Sequence, residues 1–139
     1  MQEQIEEKQQ LMTLRIIWFA LNCSLLVYGY GLFMAHKISY IGTPVSLSLF
    51  QQLALANNLL VLVSIYFHKN KILPKNSLRD RLTPYVMCWA LNESIVVTAF
   101  AATFLSNDGN GFFYVVNASV ALLANIMMMP RLPENYGRP

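Results

Sequence analysis

The chain has 139 residues, of which 55% are hydrophobic and only 12% charged, with a formal net charge of +3. A soluble domain carries charge on about a quarter of its residues, so this chain cannot cover a water-facing surface. A disordered chain, a disulfide-stapled secreted module and a nucleic-acid binder are excluded on the same arithmetic.

Residues 1–13 form an N-terminal segment holding Glu3, Glu6 and Glu7. It reads as a helical extension of the first span or as a frayed tail, the extension being favoured. Its acids and the absence of a small-residue cleavage pattern argue against a signal peptide. Four long gaps between charges follow: Leu14–Met34 with only Arg15, Val45–Phe67 with none, Leu82–Leu105 with only Glu93, and Phe112–Met129 with none. Each gap is roughly 18 to 24 residues, enough to cross a hydrocarbon layer of about 30 Å. The expected fold is therefore an all-α membrane protein with four transmembrane helices. Thr43-Pro44 and Thr83-Pro84 each offer a capping hydroxyl followed by proline at a first helical position. Pro130 and Pro133 close the fourth span, and Asn107 to Gly111 reads as a tight turn. Tyr40, Tyr66, Tyr85, Tyr114 and Trp18 lie near span ends, as an interfacial aromatic belt requires.

Nine of the ten basic residues fall before the first span, between the second and third, or after the fourth; Lys37 is the exception. That bias puts both termini and the central loop in the cytoplasm, in a membrane of the bacterial inner (cytoplasmic) type. The organisation is a first hairpin at 14–67, a basic loop at 68–81, a second hairpin at 82–129 and a cytoplasmic tail at 130–139. A shift of seventy residues lays the first span on the third. Thr13 then meets Thr83, Ala20-Leu21-Asn22 meets Ala90-Leu91-Asn92, and Ser24 meets Ser94. The pattern reads as an internal duplication of two like-oriented hairpins, with Asn22 level with Asn92 and Cys23 level with Glu93.

Glu93 lies nine residues past Pro84, about 13 Å into the layer at helical rise. An ionised carboxylate there costs a few kcal/mol or considerably more. Glu93 is thus either a protonatable or cation-binding group or a neutral acid hydrogen-bonded across a helix interface. Asn92, Ser94, Thr98, Asn22 and Cys23 are its candidate partners. Asn22, Gln51, Gln52, Asn57, Asn58, Asn92, Asn117 and Asn125 supply interhelical hydrogen bonds or line a hydrated path. Gly29, Gly31, Ala99, Ala101 and Ala102 permit close helix approach. His36 and His68 fall at opposite faces, and no nucleophile has a base in reach, so no enzyme site, cofactor or metal site is expected. Met127-Met128-Met129 reads as packing rather than soft-metal binding. The expected partners are the lipid bilayer and further copies or subunits in a homo-oligomer or larger membrane complex, and no nucleic acid.

The run Ala90-Leu91-Asn92-Glu93-Ser94-Ile95-Val96-Val97 resembles the carboxylate-bearing helix of rotary-ATPase proteolipid (c-type) subunits, and Ala20 to Gly29 resembles the same stretch with Cys23 in place of the acid. The resemblance covers about twenty residues in each half. It implies a homo-oligomeric ring in which Glu93 alone takes up and releases a proton or cation. This chain departs from that family in carrying its acid on the first helix of a hairpin and in lacking a glycine-rich companion span. The function expected is a small non-enzymatic subunit of an oligomeric membrane assembly, with ion translocation through Glu93. The alternative is a structural or accessory scaffold in which Glu93 is neutral.

Overall fold

The computed structural model describes residues 2–44, 46–75, 77–106 and 108–131. These form α1 (Gln2–Met34), α2 (Leu49–Asn57), α3 (Leu60–Phe67), a π-helical turn (His68–Ile72), α4 (Leu78–Leu105) and α5 (Phe112–Met127). Helix α4 is the central strut, packed against every other helix. Helix α1 runs parallel to it, with Leu14 sharing a core with Leu78 and Tyr85, and Tyr28 meeting Phe100. The α2–α3 segment and α5 return antiparallel, Ser64 reaching Cys88 and Asn125 reaching Asn92.

Three helical segments, Ile5–Met34, Leu49–Ile72 and Leu78–Leu105, are long and apolar enough to cross a membrane. Their outward faces are apolar as well; Leu26 is 76% and Leu62 63% exposed. An apolar exterior of this extent marks an integral membrane protein. The fourth helix, α5, has 16 residues, about 24 Å at helical rise. Its first turn is tied to the α1–α2 connection through Asn110 and Gly42. Just past its last turn, Met128 is buried with its sulfur 3.2 Å from Ser64 Oγ and 3.9 Å from Asn92 Nδ2. We call the Leu78 end the basic end.

Two apolar cores stack along the bundle. Leu11, Leu14, Ile72, Leu78, Tyr85, Trp89 and Met128 fill the basic end. Leu25, Leu32, Val96, Ala99, Tyr114 and Ala121 fill the other. Close approach in the second core depends on Gly29, where a Cβ would lie 3.0 Å from the Tyr114 ring. Gly31 has open space around it and Ala101 is exposed, so neither serves that purpose.

The helix boundaries differ from those expected. Helix α2 begins at Leu49, not at Pro44, because Ser48 and Gln51 form a reciprocal capping box. Helix α4 begins at Leu78, where the Ser77 hydroxyl accepts the Arg79 N–H at 3.2 Å, and Pro84 sits inside it. The connection expected over 68–81 is therefore mostly helical. Its stretch at 73–75 is held by buried Arg81, whose guanidinium donates to the Leu73 and Lys75 carbonyls. The expected extension of α1 is helical from Gln2. Tyr85 and Tyr114 are buried in the two cores rather than placed in an interfacial belt. The tail beyond Arg131 and Asn107 lie outside the described residues.

Helix α1 ends in a Schellman turn, with the Lys37 N–H on the Leu32 carbonyl at 2.9 Å and the His36 N–H on Phe33 at 3.0 Å. The position that usually holds glycine is His36, at φ 54°. Glycine adopts this geometry without a Cβ penalty of about 1 kcal/mol. His36→Gly should accordingly raise the thermal unfolding midpoint in detergent; an unchanged or lowered midpoint would refute the assignment of strain.

Candidate functional site

Between the two apolar cores lies a polar layer organised by three consecutive residues of α4. Successive residues on a helix step by about 100°, so Asn92, Glu93 and Ser94 meet different neighbours. On the α5 side, Asn92 Nδ2 donates to Asn125 Oδ1 at 2.8 Å, and Asn125 Nδ2 donates to Asn22 Oδ1 at 3.3 Å. Trp18 Nε1 closes this set by donating to the Asn125 carbonyl at 2.7 Å. Asn22 Nδ2 in turn donates to the Trp18 carbonyl at 2.6 Å. Asn22 and Asn92, expected at one depth, thus share a single partner.

On the α1 side, Glu93 Oε1 lies 2.5 Å from Ser24 Oγ, which is also 2.5 Å from the Leu21 carbonyl oxygen. Glu93 Oε2 is buried without a hydrogen-bond partner among the described residues. Tyr114 donates to the Leu25 carbonyl and so fixes α5 against this stretch of α1.

The third face meets a break in the second span. Asn58 N–H bonds to the Leu55 carbonyl at 3.1 Å and Leu59 N–H to Ala56 at 3.1 Å, a tightened turn that separates α2 from α3. There Asn57 Nδ2 reaches α4, donating to Thr98 Oγ1 at 2.9 Å and to the Ser94 carbonyl at 3.3 Å. Thr98 Oγ1 donates to the Ser94 carbonyl at 2.7 Å, and Ser94 Oγ to Leu91 at 2.7 Å.

The expected partners of Glu93 are accordingly distributed. Asn22 and Asn92 belong to the α5 interface, and Ser94 and Thr98 to the α2 interface. Cys23 is a half-buried free thiol. The partner of the carboxyl is Ser24, a hydroxyl next to the position level with Glu93 in the seventy-residue alignment. The reason is angular, because residues adjacent in sequence point away from one another on a helix. Helix α1 packs on α4 and α5 and makes no extensive contact with α2 or α3. Ala90, Val97 and Ala101 of α4 therefore remain exposed beside Glu93.

A second polar cluster clamps the end opposite the basic residues. Asn110 Nδ2 donates to the Gly42 carbonyl at 2.7 Å, and its Oδ1 accepts the Gly42 and Phe112 N–H groups. Gly109, at φ +68°, presents its carbonyl to the Ser39 and Tyr40 N–H groups. Partial burial pushes the Asp108 carboxyl up, but donation from the Asn110 N–H, Ser106, Gln51 and its own N–H outweighs this and holds it below its ordinary value. Lys37 lies over the Phe104 ring at 5.1 Å, beside this clamp.

No protein-family model, curated protein or solved structure matches this chain. The geometry above therefore carries the functional reading.

Two outcomes test these clusters. Asn125→Leu leaves Asn22 and Asn92 without their shared partner and should destabilise the bundle by about 1–2 kcal/mol, read from denaturant titration in mixed micelles. A loss below a few tenths would show that the amides find other partners. Because the Asp108 carboxyl is lowered on folding, its contribution is complete above the unfolded value and is lost as pH falls through the folded one. Acid should weaken wild type more than Asp108→Asn in thermal melts across that range; parallel pH profiles would remove Asp108 from the account.

Proposed function

We propose that this chain is a small non-enzymatic subunit of an oligomeric membrane assembly in which Glu93 is a proton-binding group at mid-bundle. The observation that carries the reading is the pair of 2.5 Å contacts made by Ser24 Oγ. A hydroxyl has one hydrogen to give. The Leu21 carbonyl can only accept, so if Ser24 donates there, the hydrogen in the Ser24–Glu93 contact comes from the carboxyl. If Ser24 donates to Glu93 instead, two oxygen lone pairs face each other at 2.5 Å. A neutral carboxyl satisfies both contacts, and it also lowers the cost of leaving Oε2 buried and unpaired.

The assembly is argued from the same region. The exposed stripe of Ala90, Val97 and Ala101 lies between α1 and the α2–α3 segment. A neighbouring subunit seated there would seclude the carboxyl and leave a controlled route for its proton. The reading includes four membrane crossings, with α5 as the short fourth, two like-oriented hairpins descended from a duplication, and both termini cytoplasmic in a bacterial inner membrane. The uninterrupted apolar, charge-free run of α5 supports the fourth crossing. The shared partner of Asn22 and Asn92 supports the register of the two halves, and with it the resemblance to proteolipid subunits.

A second reading is favoured by the α5-facing amide set. There Glu93 is a neutral structural acid and the protein is a scaffold held together by interhelical hydrogen bonds.

Glu93→Gln separates the two, since glutamine keeps the shape and the donor to Ser24. In bilayers near neutral pH, wild type should show a protonated-carboxyl stretch in infrared difference spectra that Glu93→Gln lacks. Proton flux in reconstituted vesicles should fall by at least about tenfold, a barrier change of about 1.4 kcal/mol, while assembly persists. Undiminished flux, or no flux above that of empty vesicles in wild type, would leave the scaffold reading in its place.

A further inference from the structure

Where α1 and α5 meet at the basic end, Met12, Ile16, Trp18, Phe19 and Met129 wall an apolar groove of about 340 Å³ together with the stem of Arg15. Its size is within the range of ligand clefts, about 300–1,000 Å³. Arg15 carries the only charge among these residues and forms no ion pair or hydrogen bond with the described residues. Arginine buries its stem along apolar surface and keeps its head in the polar region.

The depth of the groove follows from the site above. Ser24 lies level with Glu93, and Arg15 precedes it by nine residues on the same helix. At helical rise that is about 13 Å toward the basic end, against a hydrocarbon half-thickness of about 15 Å. The guanidinium therefore falls at the headgroup boundary, with the apolar walls extending inward from it. The indole of Trp18 is fixed by its bond to the Asn125 carbonyl, so this wall is preformed.

A contrasting groove of about 340 Å³ lies farther along the same α1–α5 face, beside Leu25, Leu26, Gly29, Tyr114 and Leu122. It has no charged residue and offers nothing to select a headgroup.

We propose that the Arg15 groove is a binding site for an anionic phospholipid, one acyl chain lying along Ile16, Phe19 and Met129 with the phosphate held by Arg15. The ligand class follows from charge and depth, because an apolar slot that ends in an unpaired guanidinium matches a chain that ends in an anion. The inference rests on the membrane-spanning reading and is independent of whether Glu93 carries a proton.

The test uses the full chain in neutral detergent, titrated with phosphatidylglycerol or phosphatidylcholine and followed by lipid retention in native mass spectrometry. Wild type should retain phosphatidylglycerol about fivefold more tightly, the effect of one well-placed cation near a headgroup. Added salt should erode that preference. Arg15→Gln should abolish it, Arg15→Lys should keep most of it, and Arg79→Gln, in the basic connection, should leave it intact. Inorganic phosphate alone should not displace the lipid. Equal retention of both lipids, a preference insensitive to salt, an equal loss in Arg79→Gln, or displacement by inorganic phosphate would each overturn the proposal.

Discussion

Inside a hydrocarbon layer a polar side chain has no water to turn to, so its partner must come from another helix or from the backbone. In this chain that constraint falls on α4. Its residues Asn92, Glu93 and Ser94 project in three directions, and α5, α1 and α2 meet them there. Asn125 and Ser24 answer the Asn92 and Glu93 side chains, and Asn57 answers the Ser94 carbonyl and the Thr98 hydroxyl. With apolar cores above and below, this layer sets the register of the bundle. A slide of any one helix by a turn would leave amides or a carboxyl unpaired, at about 1–3 kcal/mol each.

The break in the second span belongs to the same account. A continuous helix through Asn57 and Asn58 would keep its backbone in a regular ladder. Instead the ladder tightens at Asn58 and Leu59, and Asn57 spends its side-chain donor on α4. Asparagine competes well with a helical backbone because its short amide can bond locally, and Asn58 does so with the Leu55 carbonyl at 3.2 Å. The interruption occurs where the protein interior offers partners, which is the condition for irregular backbone at membrane depth.

The apolar runs make the three membrane-length helices legible, and the isolation of Glu93 in its run points to the polar layer. Charge spacing was a poor guide to where helices start. Capping is a local competition that Ser48–Gln51 and Ser77 win over the two Thr-Pro pairs, and a proline one turn or more inside a helix is compatible with it when the lost bond lies near the end. The sequence does not mark Ser24 as the partner of the carboxyl, because a serine in an apolar run is unremarkable until its angular position relative to another helix is known. The Asn57–Asn58 break was hidden for the opposite reason. Two adjacent amides read equally well as helix-facing donors and as a helix terminus, and only the contact with Thr98 separates the cases.

Helix α5 shows how a short element is held beside longer ones. Its 16 residues cover about 24 Å, against about 42 Å for the 28 residues of α4. It is flanked by non-helical residues that are buried: Asn110 and Gly111 before it, Met128 and Pro130 after it. Buried backbone without a helix needs other partners. At the first end Asn110 supplies them, accepting the Phe112 N–H at 3.0 Å and bonding both backbone groups of Gly42. At the second end the Met128 N–H returns to the Ala124 carbonyl at 3.0 Å and the Met129 N–H to Ile126 at 3.2 Å. The Asn110 clamp is therefore the condition that lets α5 remain short while Ala121 and Asn125, in its second half, keep the level that the second core and the polar layer require.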